Sequence, residues 1–378
     1  MTPRERVLTA INHQEPDRVP TALWGSYYTL QDETYFNLLQ HVGMENPVEP
    51  FRRFRGHNSN YYDDRVLDYL DTDIRYVWLG FTDLGGPRPD TGGVDAWGVR
   101  WERFHPYMMP VEHPLADATV EDLEAYPWPD VEKLVRVDEL KARLQTLRKK
   151  GKHAIAARAV SSYGPFEQAQ SMRGREQFLI DLVEDPEFAQ ALVQSVTQVI
   201  KRLVEIYLDI VGGDIDIMEI PGDDYGGTHR LLFSPKHFDL YIKPALAEII
   251  RPIKSCEQDI AVAFHSDGAI MPLIESFVEV GIDILHPLEP LPANDHDAIK
   301  AGYGDRLTFM GAIDLKEAMP GSVEDIEAEV KRRIQQLGGG GGYILAPANH
   351  LQSDIPPENI IALYRAAKRY GSYPISIQ

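Results

Sequence analysis

The chain has one cysteine, Cys256, in 378 residues. That excludes an internal disulfide framework and any metal site made of several thiolates, and it suits a reducing compartment, with the cytoplasm as the default expectation. Long apolar runs are also missing. No stretch reaches the roughly 18 residues that mark a membrane helix, and Met1 to Arg6 lacks the apolar core of an export signal. Cations are scarce: 38 Lys and Arg stand against 58 Asp and Glu, for a formal net charge of -20. Nucleic acid and anionic membrane surfaces need concentrated Lys and Arg, so neither is an expected partner. The short run Arg52, Arg53, Arg55 reads as a solvated loop or a local ion-pair cluster.

What is present is core material. Hydrophobic residues make up 43% of the chain, enough to bury a large interior and to argue against disorder. Short β-branched runs alternate with helical patterns, the signature of βαβ units around a parallel sheet. Strands are expected at 19–24, 74–79, 154–159, 215–220, 260–265, 283–286, 307–310 and 343–346. About eight is the number a closed barrel needs, so the expected class is α/β and the expected fold a (β/α)8 TIM barrel, one domain over residues 1–378. Ser322 suits a helix N-cap with Asp325 in the first turn; Val323, Ile326, Val330, Ile334 and Leu337 then form one apolar stripe ending at Gly338. Pro357 suits the start of a last helix facing inward through Ile360, Ile361, Tyr364 and Ala367 before Gly371. Residues 81–129, rich in Gly, Pro and aromatics, read as an elaborated loop near the barrel mouth. Gly338 to Gly342 follow a helix and enter a strand, the reverse of a phosphate loop, so they read as a turn on the stability face.

Residues at the carboxyl ends of barrel strands converge on the mouth, where barrel enzymes do their chemistry. The candidates are Arg158, Tyr163 and Glu167; Glu219, Asp223, Asp224 and Tyr225; His265, Ser266 and Asp267; His286 and Glu289; Asp314; and Asn349 with His350. His265, Asp267 and His350 offer the donor types of a divalent metal such as zinc, and equally well could bond one another or a substrate. Of the adjacent carboxylates, Asp223 reads as a cap on the turn through Gly226 and Gly227, and Asp224 as an acid or base. Tyr225 and His265 join Asp224 as catalytic candidates; Trp24, Tyr27, Arg158, Tyr163, Glu219 and His286 are candidate substrate contacts. Arg158 could clamp a carboxylate or phosphate or close an internal ion pair.

Several phrases, taken whole, resemble the uroporphyrinogen decarboxylase superfamily and in particular its methyltransferase-like branch. They are Arg4-Glu5-Arg6-Val7 through Glu15-Pro16-Asp17-Arg18-Val19-Pro20, Leu182-Val183-Glu184-Asp185-Pro186, Phe264-His265-Ser266-Asp267-Gly268, Gly304-Asp305-Arg306-Leu307 through Gly311-Ala312-Ile313-Asp314, and Ile355-Pro356-Pro357-Glu358-Asn359. The superfamily joins the decarboxylase to cobalamin-linked methyltransferases that demethylate small compounds. The resemblance implies an enzyme with a corrinoid protein as methyl carrier and a homodimeric assembly.

Two departures shape what carries over. Decarboxylases of the family bind porphyrinogen carboxylates with an Arg-Gln-Ala-Gly-Arg-type segment near the first strand, whereas the matching region here, Ala22-Leu23-Trp24-Gly25-Ser26-Tyr27-Tyr28, has no arginine. The family's zinc methyltransferases use a His-x-Cys pair and a later cysteine; here the pair resembles His265-Ser266-Asp267 and the later position falls near Asn349-His350. Both thiolates are replaced by harder donors, which points toward a different acceptor or an oxygen-bearing substrate. The expected activity is methyl transfer from a small methoxylated or methylated compound to a corrinoid. Its rivals are decarboxylation of a carboxylated substrate and a metal-assisted lyase or hydrolase reaction.

Overall fold

The structure is a computed structural model that describes residues 1–25, 29–46, 59–60, 63–81, 92–104 and 107–376. Seven of the expected strands form one parallel sheet: β1 (Ile74–Val77), β2 (Ala154–Ala157), β3 (Ile217–Glu219), β4 (Ala261–His265), β5 (Ile284–His286), β6 (Thr308–Ile313) and β7 (Tyr343–Pro347). They are hydrogen-bonded in chain order, β1 through β7. Every residue of these strands is buried, as suits a sheet covered on both faces.

Residues 19–24 close the ring, held by isolated contacts instead of a ladder. Thr21 bridges Leu345 of β7 in parallel. Ala22 N donates to Leu345 O (3.0 Å) and Leu345 N to Pro20 O (2.9 Å), while on the other side Asp73 N donates to Thr21 O (2.8 Å) just ahead of β1. The Asp73 carboxylate reinforces this seam by accepting from Thr21 N at 2.8 Å. It is wholly buried and ion-paired with Arg6 (2.5 Å) and Arg18 (3.1 Å). The expected (β/α)8 TIM barrel is therefore present.

Helix α1 (Pro3–Ile11) lies under the barrel at the amino ends of the strands, where Arg4 N donates to Lys152 O (3.0 Å) and Gly342 N to Ala10 O (2.9 Å). Helices α2 (Pro165–Arg173), α3 (Pro186–Val211), α4 (Val323–Leu337) and α5 (Pro357–Tyr370) pack around it. Ser322 caps α4 in a reciprocal box with Asp325, and Ile326, Val330, Ile334 and Leu337 are buried as expected. Val323 is not: it remains 40% exposed, because it stands in the first turn before the stripe has wrapped onto the sheet. Helix α5 starts at its proline and buries Ile360, Ile361, Tyr364 and Ala367. The turn at Gly338–Gly342 needs its glycines, since Gly341 has φ +81° and a Cβ there would lie 2.3 Å from Gln14 O.

The 81–129 excursion contains more order than a loop. Gly93–Val94, Arg100–Phe104 and Tyr107–Glu112 form a three-stranded antiparallel sheet. Its first turn is organised by Asp95, whose carboxylate accepts from Trp97 N, Val99 N and Trp101 Nε1 at 2.8–2.9 Å. The sheet roofs the mouth as expected of that segment: Trp101 stacks on Tyr163 with ring centroids 6.0 Å apart, and the Tyr107 ring meets His350 edge-on at 6.3 Å. Buried apolar side chains of barrel, helices and excursion join in one cluster. Among the described residues no helix is long and apolar enough to cross a membrane.

Candidate active site

The register of the barrel assembles the site. His265 ends β4 and His286 ends β5, and the two are paired across the ladder, so their rings lie side by side with Nδ1 atoms 2.8 Å apart. His286 Nε2 is 3.2 Å from the carbonyl oxygen of Pro347, the last residue of β7. On its other edge, His265 Nε2 faces two carboxylates, Asp267 Oδ2 at 3.6 Å and Asp224 Oδ1 at 3.8 Å. Asp224 Oδ1 also accepts from Asp267 N (2.8 Å), and Asp267 Oδ2 from Asn349 Nδ2 (2.6 Å), so neither carboxylate is left to swing.

Asp224, His265 and Asp267 present one ligand atom each, all within 4.8 Å of one another. Tetrahedral zinc ligated at its usual bond lengths sets donors about 3.3–3.6 Å apart. One imidazole and two carboxylates at this spacing fit a divalent cation with a coordination position left open. The expected trio is thus altered in one member, with Asp224 in place of His350. The His350 ring is turned away because Asn349 Oδ1 takes its Nδ1 (2.8 Å) and backbone N–H (2.7 Å), and its Nε2 lies 3.5 Å from the Tyr107 hydroxyl.

Electrostatics around the trio follow from acids crowded together at the mouth. Burial and Asp267 push the Asp224 carboxyl up to about 6, against the pull of His265. Burial alone would lower His265, but Asp267 and Asp224 outweigh it and raise it. Burial, with Asp224 and Asp223 adding to it, lifts Glu167 well above the carboxylate range. His286 is driven well below the histidine range by burial and by His265. Burial lowers His350 to about 4.

Other expected site residues fall elsewhere. Tyr225 is wholly buried in an aromatic cluster with Phe166, Phe233, Phe238, Phe264 and Phe277, and its hydroxyl donates inward to Asp223 (3.1 Å). It cannot touch a substrate there. Asp223 is a cap, but of α2 rather than of the turn at Gly226: it accepts from Phe166 N (3.0 Å) and Glu167 N (2.8 Å). Gly164 makes room for it, since a Cβ there would lie 2.5 Å from Asp223 Oδ2. Arg158 and Glu219 form an internal ion pair at 3.1 Å, and the guanidinium lies over the Trp24 ring at 4.2 Å. All three are at most 2% exposed, as is His286 at 1%, so these four expected substrate contacts lie beneath the mouth. Tyr163 stays at the mouth under Trp101. Tyr27 lies outside the described residues. Position alone singled out Asn349 and Glu167 without a role; Asn349 turns out to fasten Asp267.

The chain is similar to uroporphyrinogen decarboxylase of Schizosaccharomyces pombe, 26% identical over 37% of this chain and 39% of that one. It is also similar to uroporphyrinogen decarboxylase of Salinibacter ruber, 25% identical over 45% of this chain and 42% of that one. The chain therefore spans about two fifths of the length of the curated relatives it matches. Among solved structures a methyltransferase from Methanosarcina mazei has the same fold, with a TM-score of 0.67 at 19% identity over 98% of this chain and 99% of that one. The family model for uroporphyrinogen decarboxylase (URO-D) matches residues 98–370, from the roof of the mouth to the end of α5, and the chain belongs to that family of enzymes.

Proposed function

We propose that the protein is a methyltransferase of the family's methyltransferase-like branch, moving a methyl group from a small methoxylated or methylated compound to a reduced corrinoid on a carrier protein. The observation that carries this reading is the Asp224–His265–Asp267 group at the mouth. The full-length likeness to a methyltransferase supports it. So does the charge of the mouth: the carboxylates of Asp224, Asp267 and Glu289 gather there, while Arg158 is committed to Glu219 and residues 22–28 bring no arginine. A polycarboxylated porphyrinogen is poorly matched to such a surface.

A divalent cation such as zinc, held by Asp224, His265 and Asp267, would supply Lewis-acid polarisation of the methyl-bearing oxygen. The residues do the rest. Asn349 and the backbone N–H of Asp267 hold the two carboxylates in place. Tyr163 and Trp101 wall one side against water and suit a flat ring. The C–O bond breaks with its electron pair on oxygen, the methyl goes to the reduced cobalt of the co-substrate, and the oxygen takes one proton. Glu167, raised well above the carboxylate range by burial and the neighbouring Asp224 and Asp223, and Asp224 are the candidate acids.

Incubation with a corrinoid carrier, a reducing system and a panel of methoxylated and N-methylated compounds is expected to give methylcobalamin and a demethylated product. Protein purified without chelator is expected to hold stoichiometric zinc that His265→Ala loses. Efficient conversion of uroporphyrinogen to coproporphyrinogen would overturn the reading and make Arg158 and Asp224 the first residues to substitute.

A further inference from the structure

We propose that His286 is a positioning residue that locks His265 in the Nδ1–H tautomer, so that the bare Nε2 of His265 is aimed at the space between Asp224 and Asp267. The inference rests on the reading of His265 as a cation ligand, and it assigns a task to a histidine that touches neither substrate nor metal.

The argument follows the protons. A carbonyl oxygen only accepts, so the contact between His286 Nε2 and Pro347 O at 3.2 Å requires the proton on Nε2. The ring is 1% exposed, and its nitrogens face the backbone of Pro347 and Trp24 and another imidazole, with no carboxylate to stabilise a second proton. Its Nδ1 therefore carries a lone pair. Two nitrogen lone pairs at 2.8 Å would repel, so the proton between the rings belongs to His265 Nδ1. The remaining nitrogen of His265 is then the one 3.6 Å and 3.8 Å from the two carboxylates, a position that calls for a cation.

The backbone is shaped for this pair of rings. Across the β4–β5 ladder His265 and His286 are register partners, which sets their ring centroids 5.1 Å apart. Gly311, at φ +107°, gives way to the second ring, since a Cβ there would lie 3.1 Å from His286 Cδ2 and 2.6 Å from Pro287 O. Gly222 does the same for the first, where a Cβ would lie 2.9 Å from His265 Cβ. Orientation of a ligating histidine through its second nitrogen is a common way to tune metal affinity.

The test starts with metal-free protein labelled with 15N-histidine at a pH above the titration of His265, which Asp267 and Asp224 raise, where the side-chain nitrogen resonances report the neutral tautomer directly. His265 is expected as Nδ1–H and His286 as Nε2–H. In His286→Gln the amide oxygen can accept from His265 and the amide N–H can donate to Pro347 O, so the tautomer is kept; in His286→Leu it is released. Zinc affinity, read by chelator competition, is expected to fall about 10–100-fold in His286→Leu and to recover to within about threefold of wild type in His286→Gln. An Nε2–H form of His265 in the wild type overturns the proposal, as does a folded His286→Leu protein that binds zinc as tightly as wild type. Should the leucine variant not fold, the wild-type resonances and the glutamine variant still decide. Should wild type bind no zinc, the metal in the proposed function falls, while the resonances separately support or refute the tautomer lock.

Discussion

Asp223 accepts three hydrogen bonds, from Phe166 N, Glu167 N and the Tyr225 hydroxyl, yet it has no cationic partner among them. Burial raises it to about 7 in spite of the two backbone donors. Because the folded value lies above the roughly 3.9 of an unfolded aspartate, the linked stability is present in full below about pH 4 and is lost as pH rises through about 7. The melting temperature is expected to fall between about pH 4 and about pH 7, and Asp223→Asn should flatten part of that fall; an identical slope in the variant would assign it to other groups. Single residues were the least legible feature of the sequence, for a physical reason. Whether Arg158 would face substrate or Glu219, and whether His350 would reach the cluster or turn to Asn349, depends on loop dihedrals that no spacing encodes. Tyr225 follows Asp224 directly, and one step along an extended chain points it into the Phe264 side of the wall instead. The two ends of barrel strands, His265 and His286, were legible as neighbours because strand ends converge.

At the scale of elements, the roof of the mouth joins the excursion to the chemistry. Trp101 is the pivot: it donates to Asp95 at 2.8 Å and stacks on Tyr163 with an interplanar angle of 18°. Such a stack is worth about 0.5–1.5 kcal/mol, so Trp101→Ala is expected to raise substrate KM by about 2–10-fold. The hairpin should also become sensitive to protease while the main melting transition of the barrel stays in place. An unchanged KM would separate the roof from the site. The barrel strands could be read from sequence because burial on both faces writes them as continuous apolar runs, and the observed limits differ only at the ends. Helices α4 and α5 were legible through caps and stripe alike. The antiparallel sheet of the excursion was not, since in its central strand Arg100–Phe104 only Trp101 is buried and the alternation that would mark a strand is largely absent.

For the whole molecule, the seam between residues 19–24 and β1 depends on one buried side chain. Asp73 joins Thr21, Arg6 and Arg18, so removing its carboxylate takes the buried anion from Arg18 and leaves Arg6 with Asp17 alone at the barrel floor. Asp73→Ala is expected to cost about 3–5 kcal/mol, read as a lower denaturation midpoint, with early proteolysis near residue 20. A variant as stable as wild type would show that the contacts to Leu345 suffice. Closure also has a temporal side. Ala22 O accepts a hydrogen bond from the Tyr364 hydroxyl, a partner 342 residues further along the chain. A ribosome working at about 5–20 residues per second delivers that partner roughly 20–70 s after Ala22 has been made. Through that interval the nascent chain carries a bare first strand beside a growing, open-edged sheet, so the cell has to guard the one edge that the finished ring abolishes.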